Sequence, residues 1–191
     1  LIDNAGFEVV GRYSVMTTHN DARGVAAGVV EVFRNVLERS QVDPKDVVFI
    51  AHSTTQATNA LLEGDVAAVG IIGMASRFES VLARGQSNVK DIELAPGRFL
   101  RPSHRFITTD KLDEALVRQT LEALRNEGAQ VVVASSAFGV DDQSAEEMVM
   151  RVATQLGLAV TGGHEITKLY GLTTRTRTAV INASILPKMI G

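Results

Sequence analysis

Apolar residues fall into short runs separated by amphipathic stretches. VVFIAHS (47–53), AAVGIIGM (67–74), VVVASSAF (131–138) and LAVTGG (158–163) read as strands, apolar nearly throughout, as in strands buried on both faces. Helical spacing fills the intervals. Val25, Val29, Val32, Phe33 and Val36 recur at three- and four-residue steps, with Thr18 or Asn20 as cap and Asp21 suited to the first turn. TTQATNALLEG (54–64) is a helix closed by Gly64, and SRFESVLARG (76–85) is a shorter one. Leu112, Leu116, Leu121 and Leu124 mark a helix begun at Thr108-Thr109-Asp110 and ended at Gly128. Asp142 or Ser144 opens another that runs to Leu156-Gly157, and 173–190 is the last. At the N-terminus, Leu1-Ile2-Asp3, a turn at Asn4-Ala5-Gly6 and FEVVGRYSV (7–15) read as an antiparallel hairpin. Residues 86–110 hold two of the four prolines and little periodicity, and read as a long connection, functional or partly structured.

Strands alternating with helices predict an α/β layered sandwich with a mainly parallel sheet, helices on both faces and the hairpin at one side. A length of 191 residues allows one large domain or two small ones. The chain opens on Leu1 in what reads as a strand already under way, so a piece of a longer protein is expected.

Composition then works by exclusion. With no Cys, disulfides, a thiol nucleophile and thiolate metal sites are ruled out. A net charge of −3 without a basic stripe argues against nucleic acid. No apolar run reaches membrane-spanning length, and no signal segment precedes one, so a soluble, cytoplasmic protein is expected.

In open parallel sheets ligands sit beyond the carboxyl ends of the strands. Here those ends read HSTT (52–55), GMAS (73–76), SSAFG (135–139) and TGGHE (161–165), all small, polar or glycine-rich. A helix start at Thr54-Thr55 suits an anion, and it equally suits a plain cap. No Gly-Lys-Ser/Thr follows a glycine-rich loop, and no Gly-x-Ser-x-Gly surrounds Ser135 or Ser136. His52 and His164 each end a strand without the helical partner of a zinc site, so no metal is assigned. Asn59, a poor helix former one turn into its helix, is either functional or tied to a neighbouring loop. Arg98, Arg101 and Arg105 suit a carboxylate or phosphate, with a solvated loop the favoured reading.

The segment HSTTQATNALLEGDVAAVGIIGM closely resembles the His-Gly-Thr-Thr-x-Ala-Thr-Asn-Ala-(Leu/Ile)-Leu-Glu signature of the hydantoinase/oxoprolinase family, N-terminal region. His52, Thr54, Thr55, Ala57, Thr58, Asn59 and Glu63 carry the match, with Ser53 in place of the usual glycine. RTRTAVINASILPKM (175–189) resembles a second family segment, so the likeness spans nearly the whole chain. Ser135-Ser136 and Leu169-Tyr170-Gly171-Leu172 depart from the family's usual His-Ser and Glu-Tyr-Glu-Arg.

The resemblance implies an actin-like (ribonuclease H-like) ATPase fold and an ATP-dependent hydrolase that phosphorylates the carbonyl of a cyclic amide, a lactam or hydantoin. It implies ATP with a divalent metal in the full-length enzyme, a small cyclic amide as substrate, and a second subunit or a homo-oligomer. His52, Thr54, Thr55 and Asn59 are then the expected catalytic-cleft residues. In the family the first phosphate loop precedes the segment matching Leu1, and the adenosine pocket lies beyond that matching Gly191. The fragment itself is therefore expected to bind no cofactor and to be inactive. Loss of the strand that carries the loop is expected to bring strand replacement by a neighbour or a disordered hairpin. The alternative of another class is a noncatalytic actin-like regulatory or assembly domain.

Overall fold

The computed structural model describes residues 1–16, 18, 25–50 and 56–190, and the chain divides into two units, Leu1–Ser53 and Thr54–Gly191. In the first unit, helix α1 (Val25–Ser40) buries Ala27, Val36 and Leu37 and leaves Val29 and Val30 exposed. The expected hairpin is present but reduced to one antiparallel bridge, Ile2 to Val9. Its turn is held by Asp3, whose carboxylate accepts from the Gly6 N–H at 2.6 Å.

The expected strand at 47–53 is not found: 47–50 lies in no sheet, and Val48, Phe49 and Ile50 are exposed, while 51–53 falls outside the described residues. An apolar run becomes a strand only where a neighbour takes its N–H and C=O groups. Among the described residues of this unit no ladder does so.

The second unit is built on β1 (Val69–Ala75), buried at all seven positions. Helix α2 (Gln56–Glu63) precedes it, and Gly64, at φ 72°, closes that helix as expected. After β1 come α3 (Ser80–Ser87), the antiparallel pair β2 (Ile92–Ala95) and β3 (Arg98–Leu100), and β4 (Ser103–Thr108). Then follow α4 (Glu114–Asn126), β5 (Val131–Ser136), α5 (Ser144–Gln155), β6 (Ala159–Gly162), the short α6 (Gly163–Ile166) and α7 (Leu172–Ile190).

The four-stranded sheet has the order β4-β1-β5-β6, and every pairing is parallel. Alternation along β1 sends Ile72 and Met74 to one face, where Val117, Leu121 and Leu124 of α4 and Val149 and Val152 of α5 cover them. Val69 and Ile71 point the other way, toward Ala179, Val180 and Ala183 of α7. Each fully buried Val, Ile or Leu contributes about 1.5–3 kcal/mol relative to exposure. This is the expected layered α/β sandwich.

The long connection at 86–110 is structured, a reading the sequence left open: it holds the β2–β3 hairpin and the edge strand β4. An edge strand keeps one side open to water and tolerates charge, so its apolar signal is weak. The arginines there are not a free anion cluster. Arg101 pairs with Asp91 at 2.9 Å, Arg105 pairs with Glu127, and Arg98 lies against Gly64. The fourth helix also begins later than expected: Thr109–Lys111 is a 3-10 turn, and Asp113 caps α4 by accepting from the Leu116 N–H at 2.7 Å. Among the described residues no helix is long and apolar enough to cross a membrane.

At Gly73 the sheet meets α3 so closely that a Cβ would fall on the buried Ser87 hydroxyl and the His104 ring. Ser87 donates to Ala83 O at 2.8 Å and lies 3.1 Å from His104 Nε2. Gly73→Ala is therefore expected to cost about 1–3 kcal/mol, measured by urea unfolding. Burial, with Arg84, Arg105 and Lys90 nearby, pushes the His104 pKa from 6.5 down to about 4. The unfolded chain thus takes up this proton at higher pH than the folded chain, and stability falls as pH drops from 6.5 toward about 4. His104→Gln is expected to flatten that loss, seen by comparing urea midpoints of both proteins at neutral and acid pH.

Candidate functional site

The carboxyl edge of the sheet is organised by a charged residue on an otherwise apolar helix face. In α5, Ala145, Val149, Val152 and Ala153 form the buried stripe, and Glu146 sits beside them, fully buried. Its carboxylate accepts from the Ser136 N–H at 2.7 Å and from the His164 N–H at 2.9 Å. The His164 ring adds a third bond, Nδ1 donating at 2.6 Å. One carboxylate thus ties the end of β5 to the start of α6, and its buried oxygens are satisfied by three donors.

Arg175 approaches the same strand end from α7. Its guanidinium donates to the Ser136 carbonyl, to Leu169 O at 2.7 Å and to Tyr170 O at 3.3 Å, while Nε is buried with no partner among the described residues. Burial lowers its pKa, and the Glu146 charge opposes that shift. Next along, the Ser135 and Thr176 hydroxyls lie 2.7 Å apart. The backbone of Ser136 is therefore held at its N–H by Glu146 and at its C=O by Arg175. Two residues later Phe138 takes a left-handed conformation, φ 58°, and is exposed. Strain of this kind persists only where the surroundings over-determine it.

In front of that loop lies a cavity of about 370 Å³ between the loops that follow β1, β4 and β5. Its polar wall is Ser76, Glu79, Thr109, Ser136, Asp142 and Ser144. Ser76 donates to Glu79 at 2.7 Å, and Asp142 accepts from the Ser144 N–H at 3.0 Å; hydrogen bonding from the Ser144 side chain first, then from its backbone, lowers the Asp142 pKa. The lining holds two carboxylates and no basic side chain. Bare phosphate would meet two negative charges there, and the Ser144 N–H at the start of α5 is already taken by Asp142. Among the described residues no group of three His, Asp or Glu side chains is arranged to hold a metal.

The residues singled out from sequence divide unevenly. His52, Thr54 and Thr55 lie outside the described residues. Asn59 is exposed on α2, with no hydrogen-bond partner among the described residues. The strand ends GMAS and SSAFG do meet at the cavity, through Ser76 and Ser136. TGGHE does not line it; a Cβ at Gly162 would press on the His164 ring and the Met150 sulfur, which explains that glycine as packing. Glu79, Glu146 and Arg175 were not singled out. For the last two, a charge on the apolar stripe of a helix was the available signal.

Replacing Glu146 with Ala would leave two backbone N–H groups and the His164 ring without their acceptor and the Arg175 charge without its neighbour. Glu146→Ala is expected to destabilise the protein by about 3–5 kcal/mol, read from urea unfolding, whereas Glu147→Ala on the exposed face leaves it nearly unchanged.

Similarity to known proteins agrees with this architecture. The chain is 27% identical to caprolactamase subunit alpha of Pseudomonas jessenii over 91% of its own length, but spans only 27% of that relative. Its fold matches the crystal structure of ATP-dependent caprolactamase from Pseudomonas jessenii with a TM-score of 0.62 at 23% identity, covering 92% of this chain and 28% of that one. It also matches nucleotide-free acetone carboxylase with a TM-score of 0.58 at 14% identity, covering 87% and 28%. The profile of the hydantoinase/oxoprolinase N-terminal region matches residues 2–157, and the chain belongs to that family.

Proposed function

We propose that this chain is the N-terminal domain of a longer enzyme that uses ATP to open a cyclic amide, activating the ring carbonyl by phosphorylation. The observation that carries the reading is the family match over residues 2–157, with an ATP-dependent caprolactamase among the similar folds. A small lactam or hydantoin is the substrate class, and a second subunit or a second copy completes the assembly. ATP, with a divalent metal, supplies the phosphoryl group. No step is routed through the residues of the described cavity. His52, Thr54, Thr55 and Asn59 are assigned to lining or supporting the catalytic cleft, the hydroxyls near phosphate or the activated substrate.

ATP turnover in the longer protein with caprolactam, hydantoin or oxoproline tests this. Stimulation by at least one cyclic amide is expected, with His52→Ala lowering kcat by roughly 10²-fold or more. Turnover unchanged in His52→Ala and Thr55→Ala removes those residues from the mechanism. No stimulation by any cyclic amide favours a noncatalytic regulatory or assembly domain.

A further inference from the structure

The first unit, Leu1–Ser53, holds two open backbone edges. Among the described residues, no backbone hydrogen bond is made by Arg12, Tyr13 or Ser14, which follow the hairpin. None is made by Val48, Phe49 or Ile50 either. Such groups bond to water or to a second strand. For 48–50 the side chains favour the strand. Val48, Phe49 and Ile50 are 79%, 80% and 63% exposed, and burying three consecutive apolar residues is favourable. In a strand, Val48 and Ile50 share one face and Phe49 takes the other, so both faces are apolar.

The other edge borders a groove of about 750 Å³, lined by residues 11–14, by Val9 of the hairpin and by Val32 and Val36 of α1. From Val32 to Arg39 is two turns of helix, about 10 Å, and a strand of three or four residues is about 10–13 Å long. Arg12 and Arg39 also line the groove, and no carboxylate does. The Arg39 guanidinium lies over the Tyr13 ring, 4.6 Å from its centroid. The apolar segment, in turn, is led in by Asp43 and Asp46, both exposed. Groove and segment therefore match in length, in apolar character and in charge. They do not meet within one chain, since no residue of 47–50 lines the groove.

We infer that the groove receives residues 48–50 of a second copy of this chain, which pair as a strand with the edge at 11–14. Each chain carries one groove and one segment, so reciprocal exchange closes a two-fold dimer with both edges covered. Alternate side chains of the segment lie on Val32 and Val36, and Asp46 approaches Arg12 and Arg39. Main-chain pairing supplies affinity and the apolar floor sets the register, as in strand addition to sheet edges generally. The contact does not depend on the function proposed above, because it uses the first unit alone and requires neither ATP nor a cyclic amide.

Sedimentation equilibrium of the 191-residue chain tests this. Expected is a monomer–dimer equilibrium with a Kd of order 10–100 μM, for an interface at the small end of the specific ones. Phe49→Asp, at an exposed position, should keep the urea midpoint and weaken the dimer roughly tenfold or more. Leu82→Asp, on the exposed face of α3 in the second unit, should leave the dimer unchanged. The chain has no Cys, so an introduced thiol reports one contact. A chain with Ser14→Cys, mixed under mild oxidation with chains carrying Val48→Cys, Phe49→Cys or Ile50→Cys, should cross-link to one of the three in preference to the others. A monomer at every concentration, a dimer indifferent to Phe49→Asp, or no such cross-link overturns the proposal. A disulfide closing within one chain that carries Ser14→Cys and Phe49→Cys together gives the groove to the chain's own segment and also overturns it. So does a longer protein that stays monomeric while the 191-residue chain dimerises, because another part of that protein then fills the groove.

Discussion

A carboxylate taken out of water must be met by donors, and Glu146 is met by three, from Ser136 and from the backbone and ring of His164. Those donors sit where β5 ends and α6 begins, so this residue sets the position of two segments of the sheet's carboxyl edge relative to α5. Arg175 secures the carbonyl of the same residue, Ser136, from α7 on the opposite face. The layers are joined by apolar packing over most of their area. At this edge, though, directional bonds to charged groups fix the loop that carries Phe138 in its left-handed conformation. An apolar contact tolerates small sliding; a buried carboxylate with three short bonds does not.

Strand order supplies the second constraint. Because β1 is flanked by β4 and β5, the loops after β1 and β5 separate, and the space between them stays open. Its character comes from a few side chains, Glu79 and Asp142 foremost. Their charge turns a place that commonly welcomes phosphate into one suited to hydrogen-bond donors.

Much of the architecture was legible in advance for a simple reason. AAVGIIGM and VVVASSAF are apolar nearly throughout because β1 and β5 are buried on both faces, and Gly64 and Gly128 end helices where positive φ is needed. VVFI carried the same signal yet lies in no sheet, since pairing depends on a neighbour and not on the run itself. SHRFIT hid its strand because an edge position admits histidine and arginine. At the site, Ser76 and Ser136 were readable as strand ends, while Glu79, whose role depends on which loop faces it, was not.

Local chemistry along the chain was enough to specify the layers, the parallel sheet, most helix limits and, through HSTTQATNALLEG, the family, because these depend on periodicity, turn residues and short-range motifs. Which strands became neighbours, which charges were buried together and where a cavity opened depended on contacts between distant segments. Ser136 meets Arg175 and Glu146 meets His164 only after the sheet has brought them together. No pattern within a single helix or strand contains that information.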